Sequence, residues 1–145
     1  MNINEKLTLI QNELKAPKSQ FNAFGKYSYR NQEDILEAVK PLLAKYEVNL
    51  TLSDAILLIG DRYYVQATAH LIDKENSIVQ ITALAREEQE QKGMSSSQIT
   101  GSASSYARKY ALNGLFLIDD AKDADTDENN DVSKKPINTN EDSPF

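Results

Sequence analysis

The stretch Arg62-Tyr63-Tyr64-Val65-Gln66-Ala67-Thr68-Ala69-His70-Leu71-Ile72 alternates along its whole length. Period two is the mark of a strand whose alternate side chains share a face, here Tyr63, Val65, Ala67, Ala69 and Leu71. Upstream, residues 48–59 read as another strand, and Gly60-Asp61 makes the short turn between them. Downstream, residues 73–77 turn the chain again. Residues 78–86 then give a third strand, with Val79, Ile81, Ala83 and Ala85 on one side. Three strands joined by short turns make an antiparallel meander whose apolar face needs helix cover.

Helices to supply that cover flank the meander. Leu7, Ile10 and Leu14 follow helical spacing over residues 4–14, and Pro17 ends that helix. Asn31 reads as an N-cap, with Glu33 and Asp34 in the first turn where the helix dipole favours negative charge. Ile35, Leu36, Val39, Leu42 and Leu43 form an apolar face to about Tyr46, and Pro41 inside it predicts a kink or a break. Residues 87–94 are polar, a loop or a strand extension. Ser95, Ser96 or Ser97 then caps a helix to about Asn113, where Gly114 reads as the stop. Residues 115–118 are a short apolar segment suited to docking on the core. The fold class expected is α+β: N-terminal helices, a three-stranded antiparallel meander, and a C-terminal helix packed on the sheet. One domain spans residues 1–125. Residues 126–145, poor in apolar side chains, read as a disordered acidic tail ending in Glu-Asp-Ser-Pro-Phe.

Composition narrows the function classes. The 145-residue chain has no Cys, which removes disulfides and thiolate chemistry. No segment has the roughly 20 apolar residues of a membrane span, and no secretory signal is evident. A cytoplasmic protein without a membrane role is expected. The net charge of −6 is unevenly placed: residues 1–118 carry 13 basic and 13 acidic side chains, residues 119–145 carry 3 and 9. The body is neutral and the tail supplies the whole excess, so a local basic patch is compatible with the acidic total.

Two stretches have the composition of such a patch. Residues 15–30 contain Lys15, Lys18, Lys26 and Arg30, no acid, and the aromatics Phe21, Phe24, Tyr27 and Tyr29. Lysines and arginines grip phosphates and aromatic rings stack bases, as in single-strand binders; the competing reading is a loop whose aromatics plug the core. The second stretch is the helix after Ser95, rich in Gly and Ser. Ile99, Ala103, Tyr106 and Tyr110 follow helical spacing and read as its core face. Arg108 and Lys109 cannot both point inward, so at least one is expected to be free. Gly101 in mid-helix costs roughly 1 kcal/mol relative to Ala, which marks a close approach, either by a ligand or by a neighbouring helix or strand. Ser102, Ser104 or Ser105 offers hydroxyl donors to phosphate.

Catalytic readings are weaker. Glu90-Gln91-Lys92 has the E-x-K form of some metal-dependent nucleases, with Asp73 upstream, but it lies outside a convincing strand. His70, the lone histidine, reads as a residue on a sheet face. No P-loop occurs. Asp123, Asp125 and Asp127 imitate a calcium loop, yet Glu128 stands where Gly is needed and Lys134 where Glu is needed. No enzyme activity, metal or cofactor is expected.

Several blocks together resemble the ERF (essential recombination function) family of phage single-strand annealing proteins. They are Lys26-Tyr27-Ser28-Tyr29-Arg30, Asp34-Ile35-Leu36, Gly60-Asp61-Arg62-Tyr63-Tyr64, Ala85-Arg86-Glu87-Glu88 and the long run from Gln98 to Leu112. They occur in family order and cover about residues 5–125. The resemblance implies ATP-independent annealing of single strands during phage homologous recombination, by ring or filament homo-oligomers, on a β-β-β-α core. The DNA-binding residues assigned on that reading are Lys18, Lys26, Tyr27, Tyr29, Arg30, Arg86, Thr100, Ser102, Ser104, Arg108 and Lys109. The C-terminal tip, Glu141-Asp142-Ser143-Pro144-Phe145, resembles that of bacterial single-stranded DNA-binding proteins. There Asp142, Pro144 and Phe145 would dock on host single-stranded DNA-binding or replication proteins. The alternative function is accordingly a non-enzymatic adaptor that recruits such proteins through its tail.

Overall fold

The computed structural model describes residues 1–119 of the chain. In order these form α1 (Ile3–Glu13), β1 (Gln20–Asn22), β2 (Tyr27–Tyr29), α2 (Gln32–Tyr46), β3 (Asn49–Ile59), β4 (Arg62–Ile72), β5 (Ile78–Arg86) and α3 (Ser96–Phe116). The expected α+β architecture is observed. The larger sheet runs β3-β4-β5, antiparallel throughout. Val65, Ala67, Ala69 and Leu71 of β4 are fully buried, as their alternation requires. Gly60 opens the two-residue β3–β4 turn at φ 65°, a conformation glycine reaches without penalty. Asp73 closes the next turn by accepting from the backbone N–H groups of Glu75 and Ser77 at 3.0 and 2.8 Å. His70 sits on the opposite face of β4 from Leu71, between Thr51 and Gln80.

Helix α3 lies on β4 and β5, and α1 and α2 pack against α3 and each other. Each helix starts with a capping box: Asn2 with Glu5, Asn31 with Asp34, Ser95 with Gln98. Lys45 at 2.9 Å and the Tyr46 hydroxyl both donate to Glu13, fastening α2 to α1. Gln11 donates to the Leu115 carbonyl at 2.9 Å, so α1 satisfies one of the orphan acceptors at the end of α3.

Four expectations need correction. Helix α2 runs through Pro41 without a break. Pro41 stands on the exposed side, so the Glu37 carbonyl that loses its amide partner meets water instead of core. Of the two readings of residues 15–30, the loop whose aromatics plug the core is overturned, since β1 and β2 pair there as a small hairpin with Phe21 and Phe24 exposed. Gly114 does not stop α3. The helix continues to Phe116, and Leu117 caps it in the left-handed region at φ 60°. A Cβ at Gly114 would lie 3.2 Å from Ile81 Cγ2, so this glycine serves close packing on β5.

The fourth correction concerns the buried face of α3. It is Ile99, Ala103, Ala107 and Ala111, continuing into Leu112, Leu115 and Phe116. Tyr106 and Tyr110 are exposed by 53% and 44%. Ala67 and Ala69, with Ala83 and Ala85 beside them, belong to the same core cluster, and small residues on both sides let the helix sit close to the sheet. Tyrosine rings have no room there.

Candidate nucleic-acid interface

Helix α3 presents two different flanks. On the β3 side, Asp54 is in register with the buried Ala67, so it lies on the helix-covered face of the sheet. A carboxylate there needs partners, and it has them. The Ser104 hydroxyl donates to Asp54 Oδ2 at 2.6 Å. Arg108 donates through Nε to Oδ1 at 3.0 Å and through Nη2 to Oδ2 at 3.3 Å. Burial pushes the Asp54 carboxyl up, but the hydrogen bonds from Arg108 and Ser104, together with the Arg108 charge, outweigh it. The net result holds Asp54 below the usual carboxylate range.

This cluster clamps α3 to β3. A carboxyl with a lowered folded pKa stabilises the fold above its unfolded value of about 3.9, and that contribution disappears as pH falls through the folded value. Asp54→Asn should therefore cost about 1–2 kcal/mol at pH 7, a partly exposed charged hydrogen-bond pair being worth no more. The difference from wild type should shrink below about pH 4. Urea melts of both proteins at neutral and acid pH measure it; a difference independent of pH would contradict the clamp.

The other flank is open. A cleft of about 530 Å³ runs between α3, the end of β5 and the following loop, lined among others by Arg86, Glu88, Met94, Ser102, Tyr106 and Tyr110. The Tyr106 and Tyr110 rings lie 6.2 Å apart, tilted by 36°. Ser102, Tyr106 and Lys109 recur at i, i+4 and i+7, one stripe of the helix. Lys109 Nζ stands 5.7 Å from the centre of the Tyr29 ring. That cation–π contact joins α3 to the β1–β2 hairpin, and Tyr29 in turn lies 6.0 Å from Tyr27. The hairpin base is fixed to the helical layer. Arg30 Nε donates to the Ala16 carbonyl at 2.6 Å, and Ser19 donates to Asp34 at 3.1 Å.

The residues picked out from sequence therefore separate. Arg86 and Ser102 line the cleft. Tyr27, Tyr29 and Lys109 form a continuous group beside α3, with Lys26 exposed in the hairpin turn and Lys18 preceding β1. Thr100 donates to Glu87 at 2.8 Å, and Ser104 and Arg108 are committed to Asp54, so these three act first as structural ties. Neither Arg108 nor Lys109 is the idle cation that sequence reading expects. Asp142, Pro144, Phe145 and the 125/126 domain boundary lie outside the described residues. Tyr110, read from the sequence as part of the core face, and Met94, which the sequence did not single out, join the cleft. The signal for Tyr110 is its place four residues after Tyr106. The signal for Asp54 is an acid in phase with Leu52 and Ile56.

Among the described residues, a Cβ added at Gly101 would meet nothing within 4 Å, and this glycine has no left-handed φ, so no described helix or strand packs against it. Gly101→Ala should raise stability by roughly 0.5–1 kcal/mol, read as a higher urea midpoint. If the glycine is there to admit a ligand to the backbone, the same variant binds single-stranded DNA more weakly.

The described residues thus form a helix-backed antiparallel sheet with an aromatic cleft on one flank of α3 and a basic hairpin beside it. The chain belongs to the ERF superfamily, whose family model matches residues 3–144. It is 63% identical over 123 residues to the essential recombination function protein of Salmonella phage P22, a match covering 85% of this chain and 58% of that protein. The chain thus spans a little over half the length of this relative. No helix among the described residues is long and apolar enough to cross a membrane.

Proposed function

We propose that this chain binds single-stranded DNA and anneals complementary strands without ATP, as part of phage recombination in the host cytoplasm. The observation that carries this is the exposed Tyr106–Tyr110 pair in the cleft beside Arg86, connected through Lys109 and Tyr29 to an acid-free basic hairpin. Rings of this kind stack bases without sequence preference, and the flanking cations hold the backbone. Glu88 on the cleft wall repels phosphates. The backbone is therefore placed on the hairpin side, near Lys18, Lys26 and Lys109, with bases turned toward the tyrosines. The relative's name, essential recombination function protein, supports the recombination context.

Annealing by one small domain with few cations calls for a multi-subunit track. Among the described residues both edges of the sheet, β3 and β5, are open, and Ile56, Leu58 and Ile59 on β3 and Ile78 and Leu84 on β5 are exposed. Two different sticky edges favour head-to-tail association, which closes as a ring or grows as a filament. Mixing two complementary labelled oligonucleotides with the protein, without nucleotide, tests the function. Pairing accelerated over the spontaneous rate supports it. Binding without acceleration leaves the adaptor reading, and Mg²⁺-dependent cleavage would replace both.

A further inference from the structure

The β1–β2 hairpin carries an exposed aromatic residue at its tip, away from the cleft lining. Phe24 sits in the turn between Asn22 and Tyr27 and is 99% exposed. The turn that holds it is well tied. The Asn22 carbonyl accepts from the Lys26 N–H at 2.6 Å, Asn22 Oδ1 accepts from the Gly25 N–H at 2.9 Å, and Asn22 Nδ2 donates to the Tyr27 hydroxyl at 3.2 Å. The Tyr27 ring lies against the turn backbone so closely that a Cβ at Gly25 would be 2.5 Å from it. Lys26 is held in the left-handed region at φ 59°. An aromatic ring is thus displayed to solvent on a stapled turn, with Phe21 of β1, 63% exposed, just before it in the chain.

We infer that Phe24 is a base-stacking tip, which engages an unstacked base of the single strand that the cleft binds. The inference rests on the single-stranded DNA reading and extends it to a second contact point on the hairpin. Charge selects the occupant. Residues 15–30 hold four cations and no acid, so the tip meets a polyanion, and the flat apolar partner a polyanion offers is a nucleobase. Continuity points the same way, because β2 runs from this turn to Tyr29 and Lys109 at the border of α3. A base on Phe24 and bases on Tyr106 and Tyr110 belong to one strand whose phosphates pass the lysines between them.

The chain contains no Trp, so Phe24→Trp places the sole indole at the tip. Full-length protein carrying it is titrated with an oligothymidylate at low salt, while anisotropy of a labelled oligothymidylate reports binding to wild type. The expected result is quenching of the indole emission that saturates with binding, together with a loss of affinity of roughly 5- to 100-fold in Phe24→Ala at an unchanged thermal melt. If wild type binds and the indole emission of Phe24→Trp does not move, the tip assignment is overturned and the cleft stands. If wild type itself shows no binding, the DNA reading falls and takes the tip with it. Emission that responds to vesicles of anionic phospholipid, or to protein concentration alone, but not to the oligonucleotide, also overturns it.

Discussion

Replacing Tyr106 and Tyr110 together by Ala is expected to weaken single-stranded DNA binding by roughly one to three orders of magnitude. Each stacked base is worth about 1–3 kcal/mol by alanine substitution, and each 1.4 kcal/mol is about tenfold. The pair shares one cleft, so the two losses need not add. Both rings are half exposed and outside the buried stripe of α3, so the fold should survive their removal. Equilibrium binding to a labelled oligonucleotide at fixed salt measures the effect. Phenylalanine at both positions should restore most of it, because stacking needs the ring and not the hydroxyl. An unchanged affinity in the double Ala variant would remove the cleft from the interface.

The second large effect is on stability. Phe116, the last residue of α3, is 1% exposed and belongs to the same core cluster as Ile10, Ile35 and Leu112. It stands where the sheet, α3 and the two N-terminal helices share one core. Phe116→Ala should cost about 3–5 kcal/mol in lost transfer and cavity terms. A domain of this size is stable by about 5–15 kcal/mol, so the variant keeps only a fraction of its margin. Urea denaturation followed by circular dichroism should show a sharply lowered midpoint. Leu117→Ala, one residue on and exposed, is the control and should change little.

The alternation of Val65, Ala67, Ala69 and Leu71 runs without a fault, so the meander is legible in the sequence. The helix starts are legible too, because Asn31 and Ser95 have the side chains that cap. The burial of α3 is not. Ile99, Ala103, Tyr106 and Tyr110 match a helix period as well as Ile99, Ala103, Ala107 and Ala111 do, and ring size alone favours the tyrosines as core. The choice is made by the opposing strands, whose alanines leave space only for more alanines. That fact is tertiary. Gly114 is ambiguous for the same reason: next to a helix end, glycine usually means a stop, and only contact with Ile81 shows that it means proximity. The hairpin is hidden because strands of three residues are too short to display a period.

At the candidate interface, residue type is a better guide than residue role. Lys26, Tyr29, Arg86 and Lys109 fall on the proposed path of the strand. Arg108 has the same chemistry, but its guanidinium is tied to Asp54, a partner 54 positions away in sequence and visible only once the strand register is known. Arg30 similarly spends its Nε on the Ala16 carbonyl. A basic side chain in a basic stretch is thus either a contact or a tie, and the nearest acceptor decides which.

The placement of the strand is tested most directly by photocrosslinking. A single-stranded oligonucleotide containing 5-iododeoxyuridine is bound to the protein, irradiated, and the adducts are located by mass spectrometry. Adducts at Tyr106 or Tyr110, with or without the hairpin aromatics, are the predicted result. Adducts confined to the outer face of the sheet, around Tyr64 and His70, would contradict it.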